Sequence, residues 1–214
     1  MHTKKPTIII LSGISSSGKT TTAKALQSAL AKQNNPYVHL PIDGFVGLLP
    51  PEWCNFNASE EIKQNPDGIV LNRIDDAEGP KVAIELGKVG MNLVMAYMPV
   101  IATIASYGTN VIIDGVFGTP YLGEAAKHFK DFKVYCIAVR CPLEIVEERE
   151  RSRGAIGGFI GLARWYTETS DVHTHAHYDF LVDTSVLTPE KAAQQIVDFI
   201  KQEHEPQALK NLAR

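Results

Sequence analysis

The sequence has few cysteines, few tryptophans and no marked excess of charge of either sign. Its 214 residues include three cysteines, with no CxxC pair, and 21 basic and 24 acidic residues give a net charge of −3. A disulfide-rich secreted scaffold is excluded, and a surface for nucleic acid or another polyanion receives no support. We therefore expect a cytoplasmic protein with free thiols, and with neither a nucleic acid nor a membrane as its partner.

Charge is wholly missing from residues 89–113, a stretch that could be mistaken for a membrane span. Asn92, Pro99 and the turn-like segment 108–110 interrupt it. They leave a helical piece of about 17 residues and a separate strand, whereas a span needs roughly 20 apolar residues. We predict a buried helix that leads into a buried strand.

Apolar residues recur in short runs that are typical of strands buried on both faces of a sheet. We predict five such strands, at residues 7–12, 37–42, 111–114, 134–139 and 180–182. Helical spacing predicts helices at about 20–32, 80–107, 121–129, 143–153 and 189–202. Because strands alternate with helices, the expected fold is α/β, with three α/β/α layers around a five-stranded, mainly parallel sheet. We expect residues 1–214 to form a single domain.

Residues 13–20 read GISSSGKT, a complete GxxxxGK[ST] motif between a predicted strand and a predicted helix. In such a P-loop the backbone N–H groups turn toward phosphate oxygens, Lys19 reaches the outer phosphates, and Thr20 offers its hydroxyl to Mg²⁺. A glycine-rich turn that binds nothing is the weaker interpretation, because the motif stands in the required context. The residues that we predict to hold the nucleotide are Gly13, Ser15, Ser16, Ser17, Gly18, Lys19, Thr20 and Thr21.

The sequence lacks a TKxD-type segment, with which a GTPase would read its base. The chain is also small for a motor or a transporter ATPase, and its size suits a kinase of small metabolites. The stretch 44–79 is rich in Pro, Asn, Asp and Gly. We predict that it is a structureless insert that binds the phosphoryl acceptor.

Two acidic residues follow apolar runs at predicted strand ends, where parallel sheets bind their ligands. Asp43 lies in HLPIDGF and Asp114 in VIIDGVF, each directly before a glycine. Either could simply start an Asx turn or cap a helix. Beside a P-loop, a carboxylate can also accept the proton of an attacking hydroxyl or hold Mg²⁺. We predict Asp43 as the general base and Asp114, with Thr20, as the metal-binding acid, and an exchange of the two acids stays open.

Arg149 and Arg153 lie four residues apart, on one face of a predicted helix. We predict that they act in catalysis with Lys19, by neutralising charge on the phosphoryl oxygens from a lid at about residues 147–165. Glycines after the helix favour a mobile lid. The alternative is a solvated helix whose own glutamates pair with the arginines. Those glutamates are Glu147, Glu148 and Glu150.

Together these segments, with VRC at 139–141, RERSRG at 149–154 and YDFLVDTS at 178–185, resemble the chloramphenicol phosphotransferase family. The likeness covers about residues 7–200. It implies a P-loop kinase fold of the nucleoside- and shikimate-kinase type that phosphorylates a primary hydroxyl with ATP and Mg²⁺. By the same resemblance Asp43 is the base, Arg149 and Arg153 belong to the lid, and Asp183 and Thr184 lie near the adenine.

The chain departs from the family pattern in two places. Residues 155–157 are neutral where the family has a basic residue, and the insert with Trp53, Phe56 and Asn57 differs in detail. Chloramphenicol is therefore one candidate among small-molecule hydroxyl acceptors. A kinase of a sugar, nucleotide or nucleotide-sugar and a regulatory ATPase without an acceptor stay open, as does assembly into a homodimer or higher homo-oligomer.

His173, His175 and His177 alternate in HTHAH, a spacing that can present metal ligands on one side of an extended segment. No carboxylate or cysteine set accompanies them in a zinc-site pattern. Metal binding is thus less favoured than a loop or lid role near the nucleotide or acceptor, and the role of these histidines stays open. Trp165 and Tyr166 are predicted to be packing residues.

Overall fold

Strand β1 (Thr7–Ser12) lies at the centre of a five-stranded sheet. The computed structural model describes residues 5–56, 62–77, 79–153, 160–174, 178–202 and 205–212. The other strands of this sheet are β2 (Tyr37–Pro41), β5 (Asn110–Gly115), β6 (Lys133–Arg140) and β7 (Phe180–Asp183). Their order is β2-β5-β1-β6-β7, and every pairing is parallel. The prediction of a five-stranded parallel α/β sheet is confirmed.

The apolar run of β1 explains why helices cover both faces of the sheet. Successive side chains of a strand point to opposite faces. Ile8 and Ile10 accordingly pack into one hydrophobic core, whereas Ile9 and Leu11 pack into another, and all four side chains are fully buried. A strand that is apolar on both faces needs a layer of helices on each side.

The helices form these two layers as the alternation of elements predicts. On the face of Ile9 lie α1 (Lys19–Ala31) and α7 (Pro189–Lys201). On the face of Ile8 lie α3 (Lys88–Ser106), α4 (Thr119–His128) and α8 (Ala208–Leu212). The three-layer arrangement places the carboxyl ends of the strands, and the P-loop after β1, along one edge of the sheet.

Helix α3 is long and apolar enough to cross a membrane by length and composition alone. Core helices of soluble proteins share these properties, and Tyr97, Ile101 and Ala105 of α3 are buried in the core beside the sheet. Pro99 lies inside the helix and does not end it. The predicted helix before β5 is present at residues 88–106, but it is buried on one face only, because Met91, Met95 and Val100 are exposed.

The expected structureless insert and the expected start of a helix at Pro80 are both wrong. Residues 42–46 form a short helix, α2 (Ile42–Val46), so β2 ends at Pro41. An antiparallel hairpin follows, made of β3 (Ile69–Asp76) and β4 (Gly79–Leu86), and α3 begins only at Lys88. The physical reason is long-range packing, because Ile69, Ile84 and Leu86 of the hairpin join one apolar cluster with α2 and α3.

Two helices lie between β6 and β7, and only the first of these was predicted. Helix α5 (Leu143–Arg153) has the predicted bounds, and α6 (Leu162–Thr169) occupies the end of the expected lid. The Val82 N–H of the hairpin donates a hydrogen bond to the Gly161 carbonyl, with an N to O distance of 3.4 Å. The hairpin and α6 are therefore neighbours. Residues 154–159 of the lid and 57–61 of the insert, including Asn57, lie outside the described residues.

Candidate functional site

The P-loop connects the end of β1 to α1 with backbone geometry that needs glycine. Gly18 has φ 91° and stands at the start of α1 with no side-chain cap. A Cβ atom on Gly13 would lie 2.3 Å from the Val139 carbonyl oxygen of β6. The first N–H groups of a helix have no partner within the helix, and they attract anions. The loop therefore fits the phosphates of a nucleotide as predicted.

Lys19 lies at the first position of α1 with its side chain inside the site. Its Nζ donates a hydrogen bond to the Ile14 carbonyl oxygen at 2.7 Å. Burial lowers the pKa of Lys19, whereas the carboxylates of Asp114 and Asp43 raise it. The lysine thus lies within electrostatic range of both predicted acids, and it can exchange the Ile14 carbonyl for a phosphate oxygen.

Thr20 and Asp114 are joined directly. The Thr20 hydroxyl donates a hydrogen bond to Asp114 Oδ2 at 2.6 Å, and Asp114, at the end of β5, is 3% exposed. A hydroxyl and a carboxylate are the oxygen donors that Mg²⁺ prefers. The pair stands beside the P-loop, so these residues fit the predicted metal and would hold it with substrate phosphates and water.

Sequence reasoning missed a third member of this group. His39 Nε2 of β2 lies 2.5 Å from Asp114 Oδ1, and the His39 side chain is 7% exposed. The only signal for His39 in the sequence is the alternation of side chains along β2. Tyr37 and His39 point to the face covered by α1, while Val38 is exposed. The two oxygens of Asp114 therefore have different protein partners.

Asp43 is in the first turn of α2, directly after β2. Asp43 is exposed to solvent, but protein groups surround its carboxyl group closely. The partial loss of hydration raises the pKa of Asp43. The Lys19 ammonium lowers this pKa and the Asp114 carboxylate raises it. The structure thus brings Asp43, Lys19 and Asp114 into one electrostatic cluster, in which Asp43 is exposed to solvent.

Aromatic rings from several elements lie near Asp43, whose charge raises the pKa of both Tyr97 and Tyr166. Ring centroids of Phe45 and Tyr97 are 5.3 Å apart, those of Tyr97 and Phe117 are 6.1 Å apart, and those of Phe117 and Tyr121 are 6.4 Å apart. Burial raises the pKa of Tyr166, and the charge of Asp43 raises it further. We call these five side chains the aromatic wall. The sequence pattern did not indicate it, because its members come from five different segments.

Cys54 is a buried residue near Asp43. Burial, with a contribution from Asp43, raises the pKa of the Cys54 thiol to about 11. It packs with Val46, Ile69 and Val94 in the cluster between α2, α3 and the hairpin. The thiol is thus a protonated packing group in this apolar cluster.

The two predicted lid arginines contact different parts of the site. Arg153 Nη1 donates a hydrogen bond to the Ser16 hydroxyl of the P-loop at 3.2 Å. Arg149 Nη2 donates to the Thr184 carbonyl oxygen at 2.7 Å. The Arg151 side chain is 58% exposed and lies 3.9 Å from Glu147, so it points away from both of these contacts. The lid arginines thus reach the P-loop and the segment after β7.

The neighbouring glutamates contact other groups. Glu147 Oε1 accepts a hydrogen bond from Arg164 Nε of α6 at 2.9 Å. The buried Glu150 carboxylate accepts the backbone N–H groups of Gly161 and Ala163 at 2.9 and 3.0 Å. Burial raises the pKa of Glu150, and the two backbone hydrogen bonds lower it. Glu150 is a second residue that sequence reasoning missed, and it ties α5 to the start of α6.

The segment after β7 is bound to the P-loop. Thr184 Oγ1 donates to the Ser17 carbonyl oxygen at 2.6 Å. The hydroxyl and N–H of Ser185 donate to Asp183 Oδ1, and these hydrogen bonds lower the pKa of Asp183. The location of the adenine beside Asp183 and Thr184 stays a prediction. Ser15 and Thr21 lie on the loop and on the exposed side of the first turn of α1.

His173 is placed next to the site with an unusual backbone. Its φ is 75°, and burial with the charges of Arg140 and Lys19 lowers the pKa of His173 to about 4. The ring is therefore neutral at pH 7. His175 and His177 lie outside the described residues, and the described residues contain no group of three or more His, Cys, Asp or Glu side chains that could hold a metal ion.

Three solved structures with the same fold are kinases. A sugar kinase from a Janibacter species has 14% identity and a TM-score of 0.62, over 92% of this chain and 95% of that chain. An APS kinase from Mycobacterium tuberculosis, in complex with AMPPNP and APS, has 15% identity and a TM-score of 0.60, over 92% and 99%. A shikimate kinase from Acinetobacter baumannii, in complex with shikimate, has 13% identity and a TM-score of 0.56, over 94% and 96%.

The sequence itself matches one family. No curated protein is similar enough to count as a match. The profile of the chloramphenicol phosphotransferase-like protein family matches residues 6–201, which confirms the resemblance inferred from the motifs. With its P-loop, its parallel sheet and this match, the chain belongs to the chloramphenicol phosphotransferase-like family and is a P-loop kinase.

Proposed function

We propose that the protein transfers the terminal phosphoryl group of ATP to a hydroxyl of a small, uncharged, partly aromatic molecule. The observation that carries this proposal is the cluster of Asp43, Lys19 and Asp114 at the end of the P-loop, where Asp114 is bound to Thr20 and aromatic rings lie near Asp43. Chloramphenicol has this chemistry and is the first acceptor to test.

The proposed step divides the work among the chain's own residues. Asp43 takes the proton of the acceptor hydroxyl while the hydroxyl oxygen bonds to the terminal phosphorus, and the bond between that phosphorus and the departing ADP oxygen breaks. The raised pKa of Asp43 makes it a stronger base than an ordinary aspartate. Lys19 and Arg153 stabilise the negative charge on the phosphoryl oxygens.

Thr20 and Asp114 would hold Mg²⁺ in this proposal. When bound, the metal supplies positive charge that neutralises the phosphate oxygens of the nucleotide. The hydroxyl and carboxylate already lie together next to the P-loop. Asp114, rather than Asp43, takes the metal role because Asp114 is buried against Thr20, whereas Asp43 is open to the cleft.

The acceptor class follows from what surrounds Asp43. The charged groups that shift its pKa are Lys19 and Asp114, and Lys19 belongs to the phosphates. In the part of the chain that the structure describes, we place the acceptor beside the partly exposed rings of Phe45, Tyr121 and Tyr166, behind which Tyr97 and Phe117 are buried in the core. Rings and apolar groups favour a flat, uncharged acceptor over one that carries carboxylates or phosphates.

The test is an acceptor screen that identifies the product. The protein is incubated with ATP, Mg²⁺ and single acceptors, namely chloramphenicol, chloramphenicol without its primary hydroxyl, neutral sugars and nucleotides. Mass spectrometry detects an added phosphate on the acceptor, and ADP is measured in parallel. We expect phosphate on chloramphenicol, or on another uncharged aromatic alcohol, with equal amounts of ADP, and none on the compound without the hydroxyl.

The same screen separates the alternatives. Phosphate on sugars or nucleotides alone would replace the proposed acceptor class. ADP release at one rate with and without every hydroxyl compound would indicate a regulatory ATPase and would contradict phosphoryl transfer.

A further inference from the structure

The buried contact between His39 and Asp114 has no part in the proposed transfer as described above. His39 belongs to the edge strand β2, Asp114 to β5 and Thr20 to α1. The three side chains form a row in which Asp114 has one oxygen 2.5 Å from His39 Nε2 and the other 2.6 Å from the Thr20 hydroxyl. Asp114 is thus held from two sides by elements that are distant in sequence.

The register of the sheet explains why His39 reaches this carboxylate. Pro41 pairs with Asp114 and His39 pairs with Ile112. His39 and Asp114 therefore project on the same face, the one covered by α1, and a histidine is long enough to reach along the strand direction. A carboxylate accepts hydrogen bonds only, so the Nε2 that faces it carries the proton.

We infer that His39 is a positioning residue for the metal-binding carboxylate: its Nε2–H fixes one oxygen of Asp114 and so directs the other toward Thr20 and the P-loop. This inference rests on the proposed role of Thr20 and Asp114 in holding Mg²⁺. Hydrogen-bond partners behind a metal-binding side chain set its orientation, and their loss typically weakens metal affinity by about 10- to 100-fold. Without His39, the carboxylate would rotate among several orientations.

The test compares two variants of His39. His39→Leu removes the donor and keeps an apolar side chain of similar size, whereas His39→Gln keeps an N–H donor at about the reach of Nε2. ADP binding is measured by calorimetry at increasing Mg²⁺ and without Mg²⁺. For His39→Leu we expect Mg²⁺ half-saturation to rise about 10- to 100-fold, with unchanged ADP affinity in the absence of metal. For His39→Gln we expect most of the wild-type Mg²⁺ response.

His128→Leu is the matched control, because His128 is partly exposed on α4, away from Asp114. If His39 only stabilises the fold, His39→Leu will lower ADP affinity equally with and without Mg²⁺, or will lower only the unfolding temperature. Either result would overturn the inference. If His39→Leu does not fold, His39→Asn is compared with His39→Gln instead, because the amide of asparagine is too short to reach Asp114.

The outcome is independent of the acceptor. Binding of ADP and Mg²⁺ needs no hydroxyl compound, so a failed acceptor screen leaves this test decisive. A wild-type protein whose ADP affinity does not respond to Mg²⁺ would overturn the role of His39, even if phosphoryl transfer were detected.

Discussion

The two sides of Asp43 are built in different ways. On the nucleotide side, one continuous segment supplies the P-loop, and short hydrogen bonds join Lys19 to Ile14 and Thr20 to Asp114. On the proposed acceptor side, called the acceptor side below, the aromatic wall comes from α2, α3, α4, α6 and the turn after β5. The nucleotide side is thus a motif that many kinases share, and the acceptor side is a product of this chain's own tertiary packing.

The largest loss of activity is expected for a substitution of Asp43, which lies between the two sides. Asp43→Asn keeps the shape of the side chain and removes the base, so kcat for phosphoryl transfer should fall by about 1000-fold. ADP affinity should stay unchanged, because the base faces the acceptor. Asp131→Asn, in an exposed turn, is the control and should stay within about twofold of wild type. A wild-type rate in Asp43→Asn would remove Asp43 from the mechanism.

The same residue predicts the acid side of the pH profile. Asp43 acts only when deprotonated, and burial raises its pKa above the usual range of an aspartate. The rate of wild type should therefore fall as pH decreases through this raised pKa, at a higher pH than for an ordinary aspartate. Rates of single turnovers measured from neutral to acidic pH test this, and the decline should be absent from Asp43→Asn.

The next largest effect tests the nucleotide side alone. Arg153→Gln removes the guanidinium beside Ser16, and kcat should fall by about 100-fold because charge on the phosphoryl oxygens is less stabilised. Arg151→Gln, on the same helix but pointing away, should change kcat by less than about twofold. Equal losses in the two variants would assign the arginines to folding of α5 rather than to phosphate.

The acceptor side should respond in KM rather than in kcat. Tyr121→Leu removes a ring of the aromatic wall at similar apolar bulk, and a ring contact of about 1 kcal/mol corresponds to about a fivefold higher KM for the acceptor. The KM for ATP should not change. Tyr107→Leu is the control, since Tyr107 is 86% exposed at the end of α3. A change in the KM for ATP alone would contradict the division into two sides.

The smallest effect is a loss of stability, and it is expected for a substitution of Glu150. Glu150 ties α5, with its arginines, to α6, which carries Tyr166. Glu150→Ala leaves the Gly161 and Ala163 N–H groups without this acceptor, and the free energy of unfolding should decrease by about 1 kcal/mol. Urea denaturation measures this, with the exposed Glu148→Ala as control. An unchanged unfolding midpoint would show that the contact does not stabilise the fold.

The central sheet and the P-loop were predictable because their signals are local. A β-branched run, a glycine motif and a helical pattern follow one another directly in β1, residues 13–20 and α1. The hairpin was not predictable in the same way. β3 carries Asn72, Arg73 and Asp75, so its apolar alternation is weak, and its stability comes from pairing with β4 and from packing on α2 and α3.

The amino-acid sequence by itself determined the family, the phosphate cradle and the two acidic residues that follow β2 and end β5, because each depends on residues close together along the chain. Only the tertiary structure decided that His39 supports Asp114, that Glu150 joins α5 to α6, and that aromatic rings from separate segments meet beside Asp43. These contacts depend on strand register and helix packing between residues far apart in the chain, which local patterns do not encode.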